Sequence, residues 1–194
     1  ETAGYGDKIA VIEDNQSISY RDLLDASENL ASRLKNHGIK PGDRIALLCN
    51  DSIDYIIISL AILAAKAAVV PVSSSLSWDE TDAVLNRIDV NCHIFDKPAY
   101  TGADTEPFFS GFNGGRKFFL LHRKAKDLLP EEYYAINPAF IRFSSGTTGA
   151  SKGVLLSHES IIERTDAADR ALCMTPEDVV IWVLSMSYHF VVTI

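Results

Sequence analysis

The sequence predicts an α/β fold, a parallel or mixed sheet with helices on both faces, and three observations carry that expectation. Short, almost wholly apolar runs recur along the chain. Segments with helical apolar spacing separate them. Runs and helices alternate, the pattern of a sheet whose strands are buried on both faces. With 194 residues, 47% of them hydrophobic, the chain is long enough to bury a sizeable core.

Each element has its own signal. Leu23, Leu24, Ala26, Ser27, Leu30, Ala31 and Leu34 repeat at three and four residues, which makes one apolar stripe on a helix ending near Gly38. Pro41 and Gly42 turn the chain into Arg44 to Cys49, a short apolar strand. A helix over Ile53 to Lys66 leads to a second such strand, Ala68 to Val72, completing a βαβ unit. Ser77 to Arg87 reads as a helix, with Ser77 as cap and Glu80 three residues on, and Cys92 to Phe95 as a third strand. Ala139 to Phe143 is one more apolar run, and a helix-like segment starts at about Glu159.

Between these last two lies FSSGTTGASKGV, Phe143 to Val154, whose composition suits a loop that holds phosphate. Gly146, Gly149 and Gly153 lack Cβ and tolerate positive φ, so backbone N–H groups can close on an anion. Ser144, Ser145, Thr147 and Thr148 add side-chain donors, and Lys152 adds a mobile positive charge. It is not a Walker loop, which needs lysine followed directly by Ser or Thr, nor does it have the Gly-x-Gly-x-x-Gly spacing of a dinucleotide fingerprint. A Ser/Thr/Gly-rich surface linker is the alternative reading. The apolar strand before the loop and the Val154–Leu155–Leu156 run after it favour a loop anchored in a core.

The segment SSGTTGASKG resembles the phosphate-loop signature of the adenylate-forming superfamily: acyl-CoA synthetases, aryl-acid ligases, luciferases and peptide-synthetase adenylation domains. The departure is Ser151, where the family usually has proline; serine leaves a looser turn with one more N–H. Ser17 to Ser52 resembles the family's opening segment, Ser/Thr-Tyr-x-Asp/Glu-Leu into an amphipathic helix and then Gly-x-x-x-Gly-Asp-x-Val/Ile. Ala64 to Val72 resembles Lys-Ala-Gly-x-x-x-x-Pro, with Ala68 for the glycine, and Asn137-Pro138-Ala139 resembles the Asp-Pro-Ala before the loop. The similarity runs from about Lys8 to the end and thins between Asp96 and Tyr134.

The resemblance implies a chemistry. A carboxylate attacks the α-phosphate of ATP to give an acyl-adenylate and pyrophosphate, and a thiol of CoA or a carrier protein then takes the acyl group. It assigns Ser144, Ser145, Gly146, Thr147, Thr148, Gly149, Lys152 and Gly153 to the β- and γ-phosphates. Lys152 is also catalytic, through charge. Mg²⁺ is expected, with ligands outside this chain. The apolar run Val179 to Ile194 reads as a buried strand leading into a buried helix. By resemblance it also carries the histidine or aromatic that lines the acid pocket. Counted from Ser185, which replaces the usual proline, that position is Tyr188; matched by residue type it is His189. No aspartate lies between Ile181 and Ile194, whereas peptide-synthetase domains use one there to bind an amino group. A simple carboxylic acid is therefore favoured. The chain spans well under half of a family member, so it is expected to be the amino-terminal portion, 1–194, of the AMP-binding domain. The remainder and the mobile lid domain would lie outside it, and the chain alone is expected to be inactive. A non-catalytic nucleotide- or acyl-binding module and an amino-acid adenylation domain stay open as alternatives.

Other classes are excluded or disfavoured by the residues themselves. The formal charge of −8 and the lack of a positive stripe argue against a general nucleic-acid binder. His122, Arg123, Lys124 and Lys126 form the one basic cluster and read as a solvated strand end or turn. Tyr55 to Ala65 is apolar but shorter than the ~20 residues of a membrane span, so it reads as a core helix. No signal peptide precedes Glu1, and a start without methionine reads as a cut end. Cys49, Cys92 and Cys173, odd in number and set in apolar surroundings, read as buried thiols of a cytoplasmic protein. Neither the cysteines nor the scattered histidines have metal-site spacing. No Gly-x-Ser-x-Gly elbow marks a serine nucleophile.

Overall fold

The computed structural model describes residues 5–97, 106–125, 129–144 and 152–187, with Phe143, Ser144 and Lys152 placed by their backbone. The chain opens with a small antiparallel pair, β1 (Ile9–Glu13) and β2 (Gln16–Ser19), followed by α1 (Tyr20–Asn36). Then come β3 (Arg44–Leu48), α2 (Ile53–Ala64), β4 (Ala68–Pro71), α3 (Trp78–Ile88) and β5 (Cys92–Phe95). β6 (Phe109–Ser110), β7 (Lys117–His122), α4 (Glu131–Ala135), β8 (Pro138–Ser144), β9 (Lys152–Ser157) and α5 (His158–Leu172) complete the described elements.

Seven strands form one sheet in the order β6-β7-β5-β3-β4-β8-β9. Its centre is parallel: β3 pairs with β4 and β5, and β4 with β8. Its flanks are antiparallel, β7 against β5 on one side and β9 against β8 on the other, so the sheet is mixed. From β3 the chain steps to β4 on one side and then back across β3 to β5. Two crossovers of the same hand in opposite directions put their helices on opposite faces. The core shows it. Ile45 and Leu47 of β3 pack with Leu34, Ile58 and Ile62 of α1 and α2. Ala46 and Leu48, pointing the other way, pack with Leu85 of α3 and Tyr133 of α4.

The helix starts are set locally. The hydroxyls of Ser19, Ser52 and Ser157 each accept the backbone N–H three residues on, at 3.1, 3.1 and 3.0 Å. Ser77 and Glu80 make the reciprocal capping box that the sequence predicts. Gly42 is required where it stands: its φ is +83°, and a Cβ there would lie 2.6 Å from the Tyr134 ring. Beside it Tyr133 donates its hydroxyl to the Gly42 carbonyl at 3.0 Å, tying the α4 turn to the entry of β3.

Two sequence expectations are corrected. The run Val179 to Ile194 was expected to be a buried strand leading into a buried helix; its part at 188–194 lies outside the described residues, while residues 179–187 form neither element, and Val179, Ile181 and Val183 are 80%, 82% and 83% exposed. An apolar strand is stable only against a partner edge, and among the described residues none pairs with it. Cys173, expected buried, is exposed as the left-handed C-cap of α5, whereas Cys49 and Cys92 are buried. Burial pushes both of those thiols up. Of the basic cluster, Lys126 lies outside the described residues; His122 closes β7, as expected of a strand end, and Arg123 donates to Asp82 and Asn86 of α3.

Candidate active site

Because β3, β4, β5 and β8 are parallel, their carboxyl ends at Leu48, Pro71, Phe95 and Ser144 open on one edge of the sheet. In open α/β sheets ligands bind outside that edge. The hydroxyl- and glycine-rich loop leaves from it. β8 and β9 are paired from Pro138 opposite Ser157 to Ser144 opposite Lys152, with a register shift between Pro138 and Phe140. Ser144 and Lys152 are thus the last backbone pair of a hairpin, and residues 145–151 join them.

Of the sequence-predicted site residues, Ser145, Gly146, Thr147, Thr148 and Gly149 lie outside the described residues, as do Tyr188 and His189. Ser144 and Lys152 are brought together at the hairpin mouth. Gly153 is different from its sequence reading. It is a β9 residue opposite Phe143, without positive φ, and an added Cβ would meet only Ile141 Cγ2 at 3.9 Å. Strand geometry, not positive φ, describes its backbone.

The edge around the loop is knitted by polar contacts that the sequence reading missed. Asn50, just past β3, donates its N–H to Asp96 Oδ2, just past β5, at 3.1 Å. Lys97 Nζ donates to the Ser74 carbonyl beyond β4 at 2.9 Å. Asp51 Oδ1 accepts from Met186 N at 2.9 Å and from Ser185 Oγ at 3.2 Å, fastening a segment 134 positions away in the chain to the end of β3. Asn50 and Asp96 directly follow predicted strands, the position where edge-binding residues sit, whereas Asp51, Ser74 and Lys97 lie one position further on and Ser185 and Met186 fall inside a run expected to be buried. Next to the loop, Arg142 of β8 is 2% exposed, its guanidinium 5.3 Å from the Phe140 ring centroid. Burial lowers its pKa and the nearby Tyr55 opposes that shift.

A separate cleft of about 290 Å³ opens at the start of α2. Asp54 there is 7% exposed and accepts the Phe112 N–H at 2.6 Å, and burial raises its carboxyl pKa against that hydrogen bond. Arg116 and Glu13 pair across the cleft at 2.8 Å. Among the described residues no three His, Cys, Asp or Glu side chains gather as a metal-binding group.

A mixed sheet that gathers its loops at the carboxyl edge, one of them rich in hydroxyls and glycines, defines an α/β protein built to bind a ligand there. Residues 1–194 match the family described as AMP-binding enzyme, and the chain belongs to that family. Nonribosomal peptide synthetase gliP of Aspergillus fumigatus is 30% identical over 193 residues, covering 93% of this chain and 8% of that protein. Bacitracin synthase 2 of Bacillus licheniformis is 26% identical over 182 residues, 94% of this chain and 7% of the synthetase. The N-terminal subdomain of Klebsiella oxytoca NpsA, solved with 3-hydroxyanthranilyl-AMSN, is 26% identical with a TM-score of 0.73, covering 96% of this chain and 46% of that one. A long-chain-fatty-acid-CoA ligase (FadD1) from Archaeoglobus fulgidus shares the fold at TM-score 0.76 and 20% identity, over 96% of this chain and 41% of that one. The chain therefore spans less than a tenth of these two synthetases and under half of each structural relative.

Proposed function

We propose that the protein carrying this chain activates a carboxylic acid with ATP to an acyl-adenylate and passes the acyl group to a thiol of CoA or a carrier protein. The observation that carries the reading is a loop of sequence SSGTTGASKG set at the carboxyl end of β8, in a chain that belongs to the AMP-binding enzyme family. ATP supplies the adenylyl group and a pyrophosphate leaving group. The chain's part is to hold charge: the hydroxyls of Ser144, Ser145, Thr147 and Thr148 and the ammonium of Lys152 donate to the β- and γ-phosphate oxygens. Gly146 and Gly149 allow backbone N–H groups to approach. The barrier is the approach of one anion to another, so positioning and preorganised donors supply most of the rate. His189, or Tyr188 in the alternative register, lines the pocket of the acid. Mg²⁺ is proposed to neutralise phosphate charge, with its ligands outside this chain.

The acid is proposed to be a simple or aryl acid. No aspartate is present between Ile181 and Ile194 to receive an α-ammonium group, and the NpsA relative was solved with an aryl-acid analogue. A second reading, amino-acid adenylation, is favoured by one observation: peptide synthetases are among the curated relatives. Residues 1–194 are proposed to be the amino-terminal portion of the AMP-binding domain, inactive by itself, in a cytoplasmic protein. No described helix is long and apolar enough to cross a membrane. ATP–pyrophosphate exchange by the full-length gene product, run with panels of aryl, aliphatic and amino acids, tests the reading. Exchange with aryl or aliphatic acids is expected. Exchange with amino acids alone selects the second reading, and no exchange with any acid leaves a non-catalytic binding module.

A further inference from the structure

We propose that the cleft at the start of α2 binds a primary ammonium group on a short aliphatic stem, whose N–H donates to Asp54 Oδ2. The inference does not rest on the function proposed above. Three segments far apart in the chain make the cleft: the two-residue turn Asp14–Asn15 between β1 and β2, the first residues of α2, and the connection 111–116 between β6 and β7. Charged side chains tie them together. Glu13 accepts the Ile53 N–H on Oε2 at 2.7 Å and pairs through Oε1 with Arg116 Nη2 at 2.8 Å, so both of its oxygens are engaged. Asp54 Oδ1 accepts the Phe112 N–H at 2.6 Å. Gly111 lies so close to the same carboxylate that an added Cβ would sit 2.7 Å from Oδ1 and 2.8 Å from Cγ. The walls are thus fixed before a ligand arrives, which lowers the ordering cost of binding.

One acceptor in this frame is unused. Asp54 lines the cleft and is 7% exposed, yet among the described residues its Oδ2 accepts no hydrogen bond. A buried carboxylate oxygen is normally matched by a donor, because an unmatched one has lost water without a replacement. Burial raises the Asp54 carboxyl pKa, against the Phe112 hydrogen bond and the charge of Arg116, and a cation at Oδ2 would oppose that shift.

The charges select the sign of the ligand. Among the described lining residues three carboxylates, of Glu13, Asp14 and Asp54, face one guanidinium, that of Arg116. The α2 amide and the Arg116 donor that would attract an anion are both engaged by Glu13. A divalent ion needs several oxygens gathered at one point, and among the described residues no such group exists. An ammonium group needs less: one charge-assisted bond to Oδ2, with the side-chain carbonyls of Asn15 and Asn113 in the same lining as further acceptors. The volume of about 290 Å³ equals that of about ten liquid waters. That suits an aliphatic amine or the end of a lysine side chain.

Calorimetric titration of the full-length gene product at neutral pH, with butylamine and with N-acetyl-lysine methylamide, tests the proposal. Saturable binding of at least one is expected, and the tighter of the two tells a free amine from a partner's lysine. Asp54→Asn keeps Oδ1 as acceptor for the Phe112 N–H but removes the charge; it should weaken binding about tenfold or more, the scale of one hydrogen bond to a charged group. Tetramethylammonium carries the charge without an N–H and should be weaker by a similar factor, about tenfold. Arg116→Gln removes the opposing cation while keeping a donor for Glu13, and should tighten binding about twofold, a gain that a merely loosened cleft would not give. Saturating amine should also slow hydrogen exchange in the segment 111–116, which locates the site. Absence of saturable binding, equal affinity for tetramethylammonium, wild-type affinity in Asp54→Asn, or unchanged exchange at 111–116 would overturn the proposal. Should Asp54→Asn fail to fold, Arg116→Gln and the exchange of wild type decide. None of these readouts needs turnover, so a failure of acid activation leaves the result standing.

Discussion

Replacing His93 with phenylalanine should remove a large part of the chain's acid sensitivity. His93 sits on β5, 3% exposed, stacked on Phe95 with ring centroids 5.2 Å apart and 6.5 Å from the Trp78 ring. Among the described residues neither ring nitrogen has a hydrogen-bond partner. Its pKa is lowered to about 4, chiefly by burial and in part by the charge of Arg123, with Asp82 opposing the shift. The folded state takes up fewer protons than the unfolded chain, whose imidazole titrates near 6.5. The stability is thus fully present above about pH 6.5 and is lost as pH falls towards 4. From those two values the loss is about 2 kcal/mol between pH 7 and pH 5, and about 3 kcal/mol by pH 4. Urea unfolding of wild type and His93→Phe at pH 7, 6, 5 and 4 measures it. The carboxylates titrate in both proteins, and any packing cost of the larger ring does not depend on pH, so the difference in slope belongs to His93. Parallel pH profiles, or an imidazole that titrates near 6.5 by NMR in the folded chain, would show the reasoning to be wrong.

Three further expectations are simpler to check. Lys152→Ala should cost about 2 to 4 kcal/mol in kcat/KM for pyrophosphate exchange, the scale of losing one charge-stabilising donor; undiminished turnover would remove Lys152 from the chemistry. Gly42→Ala should lower stability by about 1 to 3 kcal/mol, since it combines positive φ with a contact on the Tyr134 ring, and an unchanged urea midpoint would contradict that. With a disulfide reagent at neutral pH, Cys173 should react at once, while Cys49 and Cys92 should react only as the chain unfolds; release of three equivalents from the native chain would refute their burial.

The site was legible in outline and illegible in its joints. A run such as Ser144 to Gly153 announces itself because glycine, hydroxyls and lysine at close spacing serve few purposes. Asp51 gave no such signal. Its partners are 134 and 135 positions away, and nothing near Asp51 in the sequence distinguishes it from any acidic residue before a helix cap. A glycine looks the same in the sequence whether it stands in a loop or in an edge strand, and for the backbone of Gly153 the pairing with Phe143 decides for the strand.

What the sequence alone determined is everything local. Ser19, Ser52, Ser77 and Ser157 cap helices because a hydroxyl reaches an amide three residues away, and the short apolar runs of β3, β4, β5 and β8 leave no other fate than burial on both faces. Tertiary structure alone decided the direction and order of the strands. That β7 and β9 run against their neighbours and make the sheet mixed depends on pairing free energies between segments far apart in the chain, and local composition carries no record of them. For the same reason an apolar run at 179–184 stays exposed, since hydrophobicity supplies the tendency to bury and only a facing surface supplies the place.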